Sequence, residues 1–525
     1  MEKKSKLLLI RFLIIFLVGS YFLGILTYGT STFADSLRGY EEMFQFMEGG
    51  NWNSLSYPSV YEPEFSYYVA WWSPGQWVFP FLIFDLFGIS SIQTIQFILI
   101  AVCLILSLFG YNLLFKKFGF SSFISAFSLL CIASNQLFYW HTFLYFGGDL
   151  FLLAFFPYFL LFLLHYKENI TFTTTILFIL LCLFGVFLKN TWLVIALCSS
   201  SFIFFSQKTD SILNRIKNTL PIITSFCVLY FLVNKFHLSL GETPTSSHDY
   251  EGYLGVKNNF IGDISYSLGS PMGIFTRFTF IVQKLPLNYF SNSVFSTILQ
   301  VIPLLLTGLF ILKFPKKKYS TYFNILLYFC IPFLLFFVFV YLQDNSVSYE
   351  MRHFAPISFL FFPGLIVWLT SNKYKLLMVT AITLFCVFDL GLYAISSKKI
   401  EETHSFWNQL KLPNEDVKLL SAIEKWDKSY KNGIVIIEDY WLPCIGVRKN
   451  EKVVLKQKNN LLYIVSGMEI EHPDNFNIYT HKMENYSSVL LVKSLAKKQS
   501  LQLKLDFQFN SILKTDKYEV FQSIN

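Results

Sequence analysis

The sequence predicts an α-helical polytopic membrane protein that ends in a small extracytoplasmic α/β domain, and three observations support this class. Hydrophobic residues make up 54% of the 525 residues and charged residues only 14%, a balance typical of membrane proteins. Apolar runs of spanning length recur through residues 1–396, and the mean hydropathy is +0.48. From residue 397 the composition turns polar, and short runs of strand type alternate with helical patterns.

Apolar runs near the ~20 residues that cross a bilayer predict about eleven transmembrane helices. The first run follows a basic N-terminus, as in a signal peptide, but it is long enough to span and has no small-residue cleavage site, so we expect it to be retained. The predicted spans are residues 7–28, 92–115, 121–138, 149–166, 171–188, 191–206, 220–236, 293–312, 321–342, 354–369 and 376–394.

Basic residues in the short loops predict the orientation, because cytoplasmic loops carry an excess of Lys and Arg. With a cytoplasmic N-terminus, that side holds Lys116, Lys117, Lys167, Lys208, Arg215, Lys217, Lys313, Lys316, Lys317, Lys318, Lys373 and Lys375. The opposite side has chiefly Arg38, Lys189 and Arg352. We therefore predict a multi-pass protein of the inner (plasma) membrane with an extracytoplasmic C-terminal domain. The net charge of +8 is then a topology signal, and no nucleic-acid partner is expected.

Three parts of the chain are predicted to face outward: the loop 29–91, the loop 237–290 and the domain 397–525. Residues 37–48 of the first loop have the apolar spacing of an amphipathic helix lying along the membrane surface. In the C-terminal domain, the runs 433–437, 453–455 and 461–465 predict strands, and residues 416–426 predict a helix.

Acidic and aromatic residues cluster in the first outward loop, as expected of an enzyme that acts on a lipid-linked polar substrate. Asp35 follows the first span closely and is a candidate catalytic base. The alternative is structural, since Asp35 or Ser36 could cap the interfacial helix. Trp71, Trp72 and Trp77 are interpreted first as interfacial anchors, with sugar stacking as a second use.

Several short motifs, in order along the chain, resemble those of the GT-C superfamily of glycosyltransferases. Asp35, a Tyr five residues later (Tyr40), the Gly50-Asn51-Trp52 segment and Trp72-Ser73-Pro74-Gly75 are similar to that family's first outward loop. Bacterial relatives of protein O-mannosyltransferases and aminoarabinose transferases are the branch most resembled. The resemblance continues with Gly147-Gly148-Asp149-Leu150, with Lys189 after the fifth span, and with 348–356, where His353 replaces the Tyr of an Arg-Tyr-x-x-Pro motif. It covers roughly residues 7–395.

The resemblance implies a GT-C-like fold and an inverting transfer of a sugar from a polyprenyl-phosphate donor to an acceptor hydroxyl of a lipid, glycan or protein. It implies Asp35 as the base. The substrate-binding residues it implies are Lys189, Arg352, Asp149, Tyr40, Glu42, His353 and Trp72. Many relatives have Asp-Glu where this chain has Asp35-Ser36, so a paired acid would have to be Glu41 or Glu42.

Physical chemistry supports these roles but leaves alternatives open. A departing lipid phosphate needs cations, and Arg352 can hold phosphate in a bidentate fork. Lys189 could instead be an end-of-helix residue that snorkels, Arg352 could pair with Glu350 or Asp344, and Asp149 could cap its helix. No metal-ligand or disulfide spacing is recognised, although a divalent metal remains a possible cofactor.

Two other functions fit the same pattern of spans and loops. The first is a transporter or lipid flippase, which would show broken helices and a polar site near the midplane. The second is a non-catalytic scaffold whose C-terminal domain binds a partner.

Overall fold

The structure is a computed structural model that describes residues 2–28, 31–32, 34–47, 50–56, 66–70, 72–89, 92–145, 147–207, 211–241, 305, 308–342, 351–371, 375–401, 414–430, 433–437, 461–464, 487–494, 508–516 and 518–524. The chain divides into two units. The first unit comprises Met1–Ile25, Leu99–Phe143 and Gly147–Lys398, and the second comprises Leu26–Ile98, Leu144–Phe146 and Lys399–Asn525.

Helices dominate the described part of the chain up to residue 401. They are α1 (Glu2–Tyr28), α2 (Ala34–Met47), α3 (Gly75–Phe87), α4 (Ile92–Lys117), α5 (Ser122–Ser134), α6 (Gln136–Phe143), α7 (Gly148–Glu168), α8 (Phe172–Leu188), α9 (Trp192–Phe205), α10 (Ile212–Phe236), α11 (Ser320–Ile325), α12 (Ile331–Leu342), α13 (Ala355–Thr370) and α14 (Lys375–Glu401). A π-helical turn, Leu326–Cys330, joins α11 to α12, and 3₁₀ turns cover Leu238–Leu240 and Met351–Phe354.

Six helical segments among the described residues are long and apolar enough to cross a membrane, or seven if the bent pair α5–α6 is one span. The six are Leu8–Leu26, Thr94–Lys117, Gly148–Glu168, Ile212–Leu240, Ser320–Val338 and Arg352–Thr370. The helical, multi-pass class is therefore confirmed, whereas the number eleven is not. The predicted spans 171–188 and 191–206 are helices that are too short to qualify, and most of 293–312 lies outside the described residues.

Burial separates central from peripheral helices in the first unit. The apolar window of α7 is 72% buried, whereas those of α1 and α10 are each 28% buried. The exposed side chains of α1 include Leu8, Phe12 and Ile15, which suit contact with lipid because acyl chains are as apolar as the side chains themselves. Tyr111 donates a hydrogen bond to the carbonyl of Pro356 at 2.7 Å, which ties α4 to the start of α13.

The pair α5–α6 bends by 53° between the two helices. Asn135 explains the bend, because its backbone is extended (φ −77°, ψ 141°) and its side-chain Oδ1 accepts a hydrogen bond from the backbone N–H of Leu137 at 2.9 Å. An Asn side chain that accepts from a helix's first turn acts as an N-cap and starts a new helix. The sequence analysis predicted a span at 121–138 and did not predict the bend.

In the second unit, the helix predicted at 37–48 is confirmed as α2, and the first loop contains further structure. Strands β2 (Ser54–Ser56) and β3 (Ser66–Tyr68) form an antiparallel pair. Strands β1 (Ser31–Thr32) and β4 (Leu144–Tyr145) form a short parallel pair. The apolar helix α3 was not predicted, because at 13 residues it is too short to register as a span.

The C-terminal part of the second unit contains helix α15 (Asn414–Ser429) and a five-stranded sheet. Its strands are β5 (Gly433–Ile437), β6 (Leu461–Ile464), β7 (Ser488–Ser494), β8 (Gln508–Lys514) and β9 (Tyr518–Ile524). In the order β6-β5-β7-β9-β8, the first three strands are parallel, and β9 pairs antiparallel with both β7 and β8. The predictions at 416–426 and 433–437 are confirmed, and the strand predicted at 461–465 is confirmed over its described residues 461–464. The predicted strand 453–455 lies outside the described residues.

We expect Gly185→Ala to destabilise the first unit by about 1–3 kcal/mol, as overpacking of a core does. A Cβ at Gly185 would meet the indole ring of Trp192. That ring is fully buried and lies 4.9 Å from the ring of Phe155 and 5.0 Å from that of Phe159, so it cannot move away. Thermal unfolding in detergent measures the loss. Gly391→Ala is the control because nothing lies within 4 Å of a Cβ there, and equal stability of the two variants would contradict the packing argument.

Candidate functional site

Four of the predicted site residues meet at one place in the first unit: Asp149, Lys189, Arg352 and His353. Asp149 lies in the first turn of α7, where the positive end of the helix dipole favours a carboxylate. Lys189 is the C-cap residue of α8. Arg352 and His353 lie in the 3₁₀ turn that leads into α13. Three separate chain segments thus contribute one cluster, which we call the charge cluster.

The Asp149 carboxylate is the centre of the charge cluster. Its Oδ1 accepts a hydrogen bond from Lys189 Nζ, and its Oδ2 lies 3.5 Å from Arg352 Nη1. His353 Nδ1 lies 3.1 Å from Lys189 Nζ. Because an ammonium group only donates, His353 Nδ1 accepts, which places the imidazole proton of the neutral ring on Nε2. The His353 ring also stacks on Phe337, with centroids 6.1 Å apart.

The charge cluster is buried and carries more positive than negative charge. Side-chain exposure is 13% for Lys189, 10% for Arg352 and 5% for Asp149. With His353 neutral, its two cations and one carboxylate sum to a charge of +1. His141, at the end of α6 and also buried, lies within the electrostatic field of Asp149, Lys189 and Arg352. Among these described side chains the positive charges outnumber the negative ones, a balance that favours an anion as ligand.

The cluster lies at the end of the helices opposite the predicted cytoplasmic lysines. Its residues come from the start of α7, the end of α8 and the approach to α13. The opposite helix ends carry Lys116 and Lys117 on α4 and Lys167 on α7, whose Nζ lies 5.3 Å from the ring centre of Phe202. The predicted cytoplasmic lysines and the cations of the charge cluster therefore lie at opposite ends of the helices.

The geometry bears on the alternatives left open by the sequence. The N-cap of α7 is Gly147, so Asp149 does not cap its helix but pairs with the cations. Lys189 is mostly buried against that carboxylate rather than snorkelling into solvent. Arg352 pairs with Asp149, while the predicted partners Glu350 and Asp344 lie outside the described residues.

The remaining predicted site residues belong to the second unit. Tyr40 and Glu42, both on α2, are buried, and Trp72 is half-buried. Burial raises the pKa of the Tyr40 hydroxyl. Hydrogen bonds with the side chains of Gln96 and Tyr145 act in the opposite direction and lower it. Burial also raises the pKa of Tyr68 to about 12; the Glu42 carboxylate acts in the same direction, and a hydrogen bond with Asn53 opposes it. Glu42 therefore lies beside Tyr68 of β3.

Asp35 lies in the first turn of α2, which begins at Ala34, and its side chain is outside the described residues. It is a first-turn residue rather than the N-cap itself, and so is Ser36. The side chain of Glu41 also lies outside the described residues. The assignment of Asp35 as the base therefore stays a prediction.

Asn53 is a structural residue of the first loop that the sequence analysis missed. Its φ of 50° is positive, a conformation that Asn tolerates better than most residues. Its Nδ2 donates to the carbonyl of Val69 at 2.6 Å, and its Oδ1 accepts from Trp77 Nε1 at 3.0 Å. The interpretation of Trp77 as an interfacial anchor is accordingly wrong, because the indole is buried and packs against Phe46. Trp52, in contrast, is 48% exposed.

His141 is a second residue that the sequence analysis did not place at the site. The signal that points to it is the histidine at the end of a span on the predicted outward side. Within the described ranges, no group of three or more His, Cys, Asp or Glu side chains could hold a metal ion.

No model of a known protein family and no curated protein matches this chain. The likeness to GT-C glycosyltransferases accordingly rests on the short motifs of the sequence.

We expect Asp149→Asn to destabilise the first unit by about 3–5 kcal/mol, because it leaves buried cations without their carboxylate. The double variant Asp149→Asn/Lys189→Met removes one of those cations, so part of the lost stability returns. Thermal unfolding in detergent measures both. Asp85→Asn, an exposed position on α3, is the matched control and leaves the midpoint unchanged. A midpoint for Asp149→Asn equal to that control would show that the ion pairs do not stabilise the fold.

Proposed function

We propose that this protein is an inverting membrane glycosyltransferase that moves a sugar from a polyprenyl-phosphate carrier to an acceptor hydroxyl on the outer side of the inner membrane. The observation that carries the proposal is the buried, net positive charge cluster of Asp149, Lys189, Arg352 and His353 at one end of the helices. The proposal includes about eleven spans, a cytoplasmic N-terminus and an extracytoplasmic C-terminal domain. The charge cluster then lies on the outward side.

The electrostatics of the cluster suit a lipid phosphate. At an effective dielectric constant near 20, one net positive charge attracts a phosphate charge ~4 Å away by about 4 kcal/mol. Arg352 adds a planar fork that matches two phosphate oxygens. The Asp149 carboxylate holds both cations in place before substrate arrives, so little reorganisation accompanies binding. His353 restrains the Lys189 ammonium from a further direction.

The proposed reaction assigns the two chemical tasks to different parts of the chain. Asp35 accepts the proton of the acceptor hydroxyl as the hydroxyl oxygen attacks the anomeric carbon of the donor sugar. The bond between that carbon and the phosphate oxygen breaks, and the anomeric configuration inverts. The charge that develops on the departing polyprenyl phosphate is stabilised by Lys189 and Arg352. Tyr40, Glu42 and Trp72 of the first outward loop then contact the acceptor or the sugar.

The second candidate is a transporter or flippase for a lipid-linked anion, and the bend between α5 and α6 favours it. Discontinuous helices are typical of transporters, where half-helix ends line the substrate site. The same charge cluster would then bind the phosphate during passage. The two candidates differ in outcome, since the enzyme makes a covalent product and the transporter only moves its substrate across the membrane.

We expect Asp35→Asn to lower glycosyl transfer in proteoliposomes by at least about 100-fold, the usual contribution of a general base. Transfer from a radiolabelled polyprenyl-phosphate sugar to an outer-side acceptor measures the rate. Asp85→Asn removes another carboxyl group of the same loop and retains wild-type activity. Wild-type transfer by Asp35→Asn would refute the base assignment, and sugar-lipid movement without product in the wild type would favour the flippase.

We expect Arg352→Gln to weaken binding of the polyprenyl-phosphate donor about 10- to 100-fold, as loss of a charge-assisted hydrogen bond does. Arg352→Lys keeps the charge but loses the fork, so it recovers only part of the affinity. The Michaelis constant for the donor and native mass spectrometry of the lipid-bound protein report the change. Lys235→Met removes a cation from the end of α10 and serves as the control. Equal donor affinity in all four proteins would exclude the cluster as the phosphate site.

A further inference from the structure

Helix α3 of the second unit is packed in its first half and uncovered in its second. The buried residues all lie in the first half: Gly75, Gln76, Trp77 and Pro80. In the second half, Phe81–Phe87, every side chain is exposed or half-buried. Leu82, Leu86 and Phe87 are 39%, 68% and 71% exposed. Neighbouring apolar side chains exposed to this extent mark a surface that contacts something other than water.

The apolar and charged side chains of this exposed half point in different directions. At about 100° per residue, Leu82, Leu86 and Phe87 fall within an arc of about 140° around the helix axis. Asp85 is the one charged residue of α3 and is itself exposed. It falls outside that arc, about 160° from Phe87. A helix with a broad apolar side and a charged residue away from it has the form of a helix that lies along a membrane surface.

The chain connects the exposed half of α3 directly to a membrane span. Helix α3 ends at Phe87 and α4 begins at Ile92, and α4 contains the candidate span Thr94–Lys117. Gly88 ends α3 with a φ of 62°, the left-handed C-cap that glycine adopts without strain. The five residue steps from Phe87 to Ile92 extend to at most about 18 Å. The most exposed end of α3 therefore stays close to the point where the chain enters the bilayer.

The packed half of α3 is held against α2. A Cβ at Gly39 of α2 would lie 3.4 Å from the Cβ of Gln76, so the two helices approach closely there. One turn beyond the packed residues, the ring of Phe81 meets that of Phe46 edge to face, with centroids 5.5 Å apart. The position of α3 therefore determines the position of α2.

We propose that the exposed half of α3 is an interfacial membrane anchor. It lies along the surface of the bilayer on the side where α4 begins, with Leu82, Leu86 and Phe87 among the lipid acyl chains and Asp85 toward water. The partner is the lipid bilayer, because a connection of only four residues ties this surface to a span. Apolar side chains at that level gain by leaving water for hydrocarbon.

The anchor determines the depth of α2, the helix that includes Asp35. In the proposed orientation, it holds the start of the first outward loop at the level of the lipid headgroups. The phosphate of a polyprenyl-phosphate donor lies at the same level. This consequence rests on the proposed function, whereas the anchor itself does not.

Photolabelling of the full-length protein in lipid nanodiscs tests the proposal. A phosphatidylcholine with a diazirine in its acyl chain forms adducts with residues in the hydrocarbon, and peptide mass spectrometry locates them. We expect at least roughly tenfold more adduct on Phe81–Phe87 than on β8, because burying one large apolar side chain is worth at least that preference. Strand β8 is the internal control, since its Ile512 is apolar and 45% exposed but belongs to the C-terminal sheet. The exposed side of α1, which includes Phe12, is the positive control.

The double variant Leu86→Glu/Phe87→Glu places two carboxylates on the apolar side of the anchor. We expect its adducts on α3 to fall to the level of β8, while those on α1 stay unchanged. Asp85→Asn is the matched control, because it alters the same helix outside the apolar arc and keeps the labelling of the wild type.

Two results would overturn the proposal. One is labelling of Phe81–Phe87 in the wild type that does not exceed that of β8. The other is cross-linking between two copies of the chain at Phe87 in place of lipid adducts, since a second copy would then cover the surface. The comparison within the wild type decides the matter even where the double variant fails to fold. Because labelling requires no sugar transfer, its outcome is independent of the proposed activity.

Discussion

The burial of Asp149 between Lys189 and Arg352 is the interaction on which one end of the helical unit depends. Any one of these charges alone would be too costly at such a depth. Together they require the start of α7, the end of α8 and the turn before α13 to remain within a few ångströms of one another. The helix dipole of α7 adds to the stability of the carboxylate. The arrangement keeps the cations fixed, which is what recognition of an anion requires.

Much of the helical architecture follows from the sequence, because apolar runs report directly on transfer into a membrane. Its details do not. The bend at Asn135 depends on one side-chain hydrogen bond within a continuous apolar run, which a hydropathy pattern does not register. Helix α3 was not predicted because its apolar run is too short to be counted as a span. The strands β7 to β9 were not predicted because sheet pairing is non-local and a strand pattern of this length is ambiguous.

The candidate site shows the same division between local and non-local information. Lys189 and Arg352 stand out in the sequence because cations are rare on the predicted outward side, and the structure brings both to Asp149. Nothing in the sequence indicates that Asn53 would hold the indole of Trp77, since the contact requires a positive φ and a turn between distant segments. Trp77 was therefore interpreted as an anchor from its neighbours in the sequence. In the structure, its ring is packed into a core.

Asp149 shows how buried charges can be kept in the helical unit. Its carboxylate lies in the first turn of α7 and faces the ammonium of Lys189 and the guanidinium of Arg352. Each of these charges offsets the cost of burying the others. Without the carboxylate, the two cations would repel each other at close range. Asp149 therefore determines the arrangement of the two cations, because their mutual repulsion would otherwise separate them.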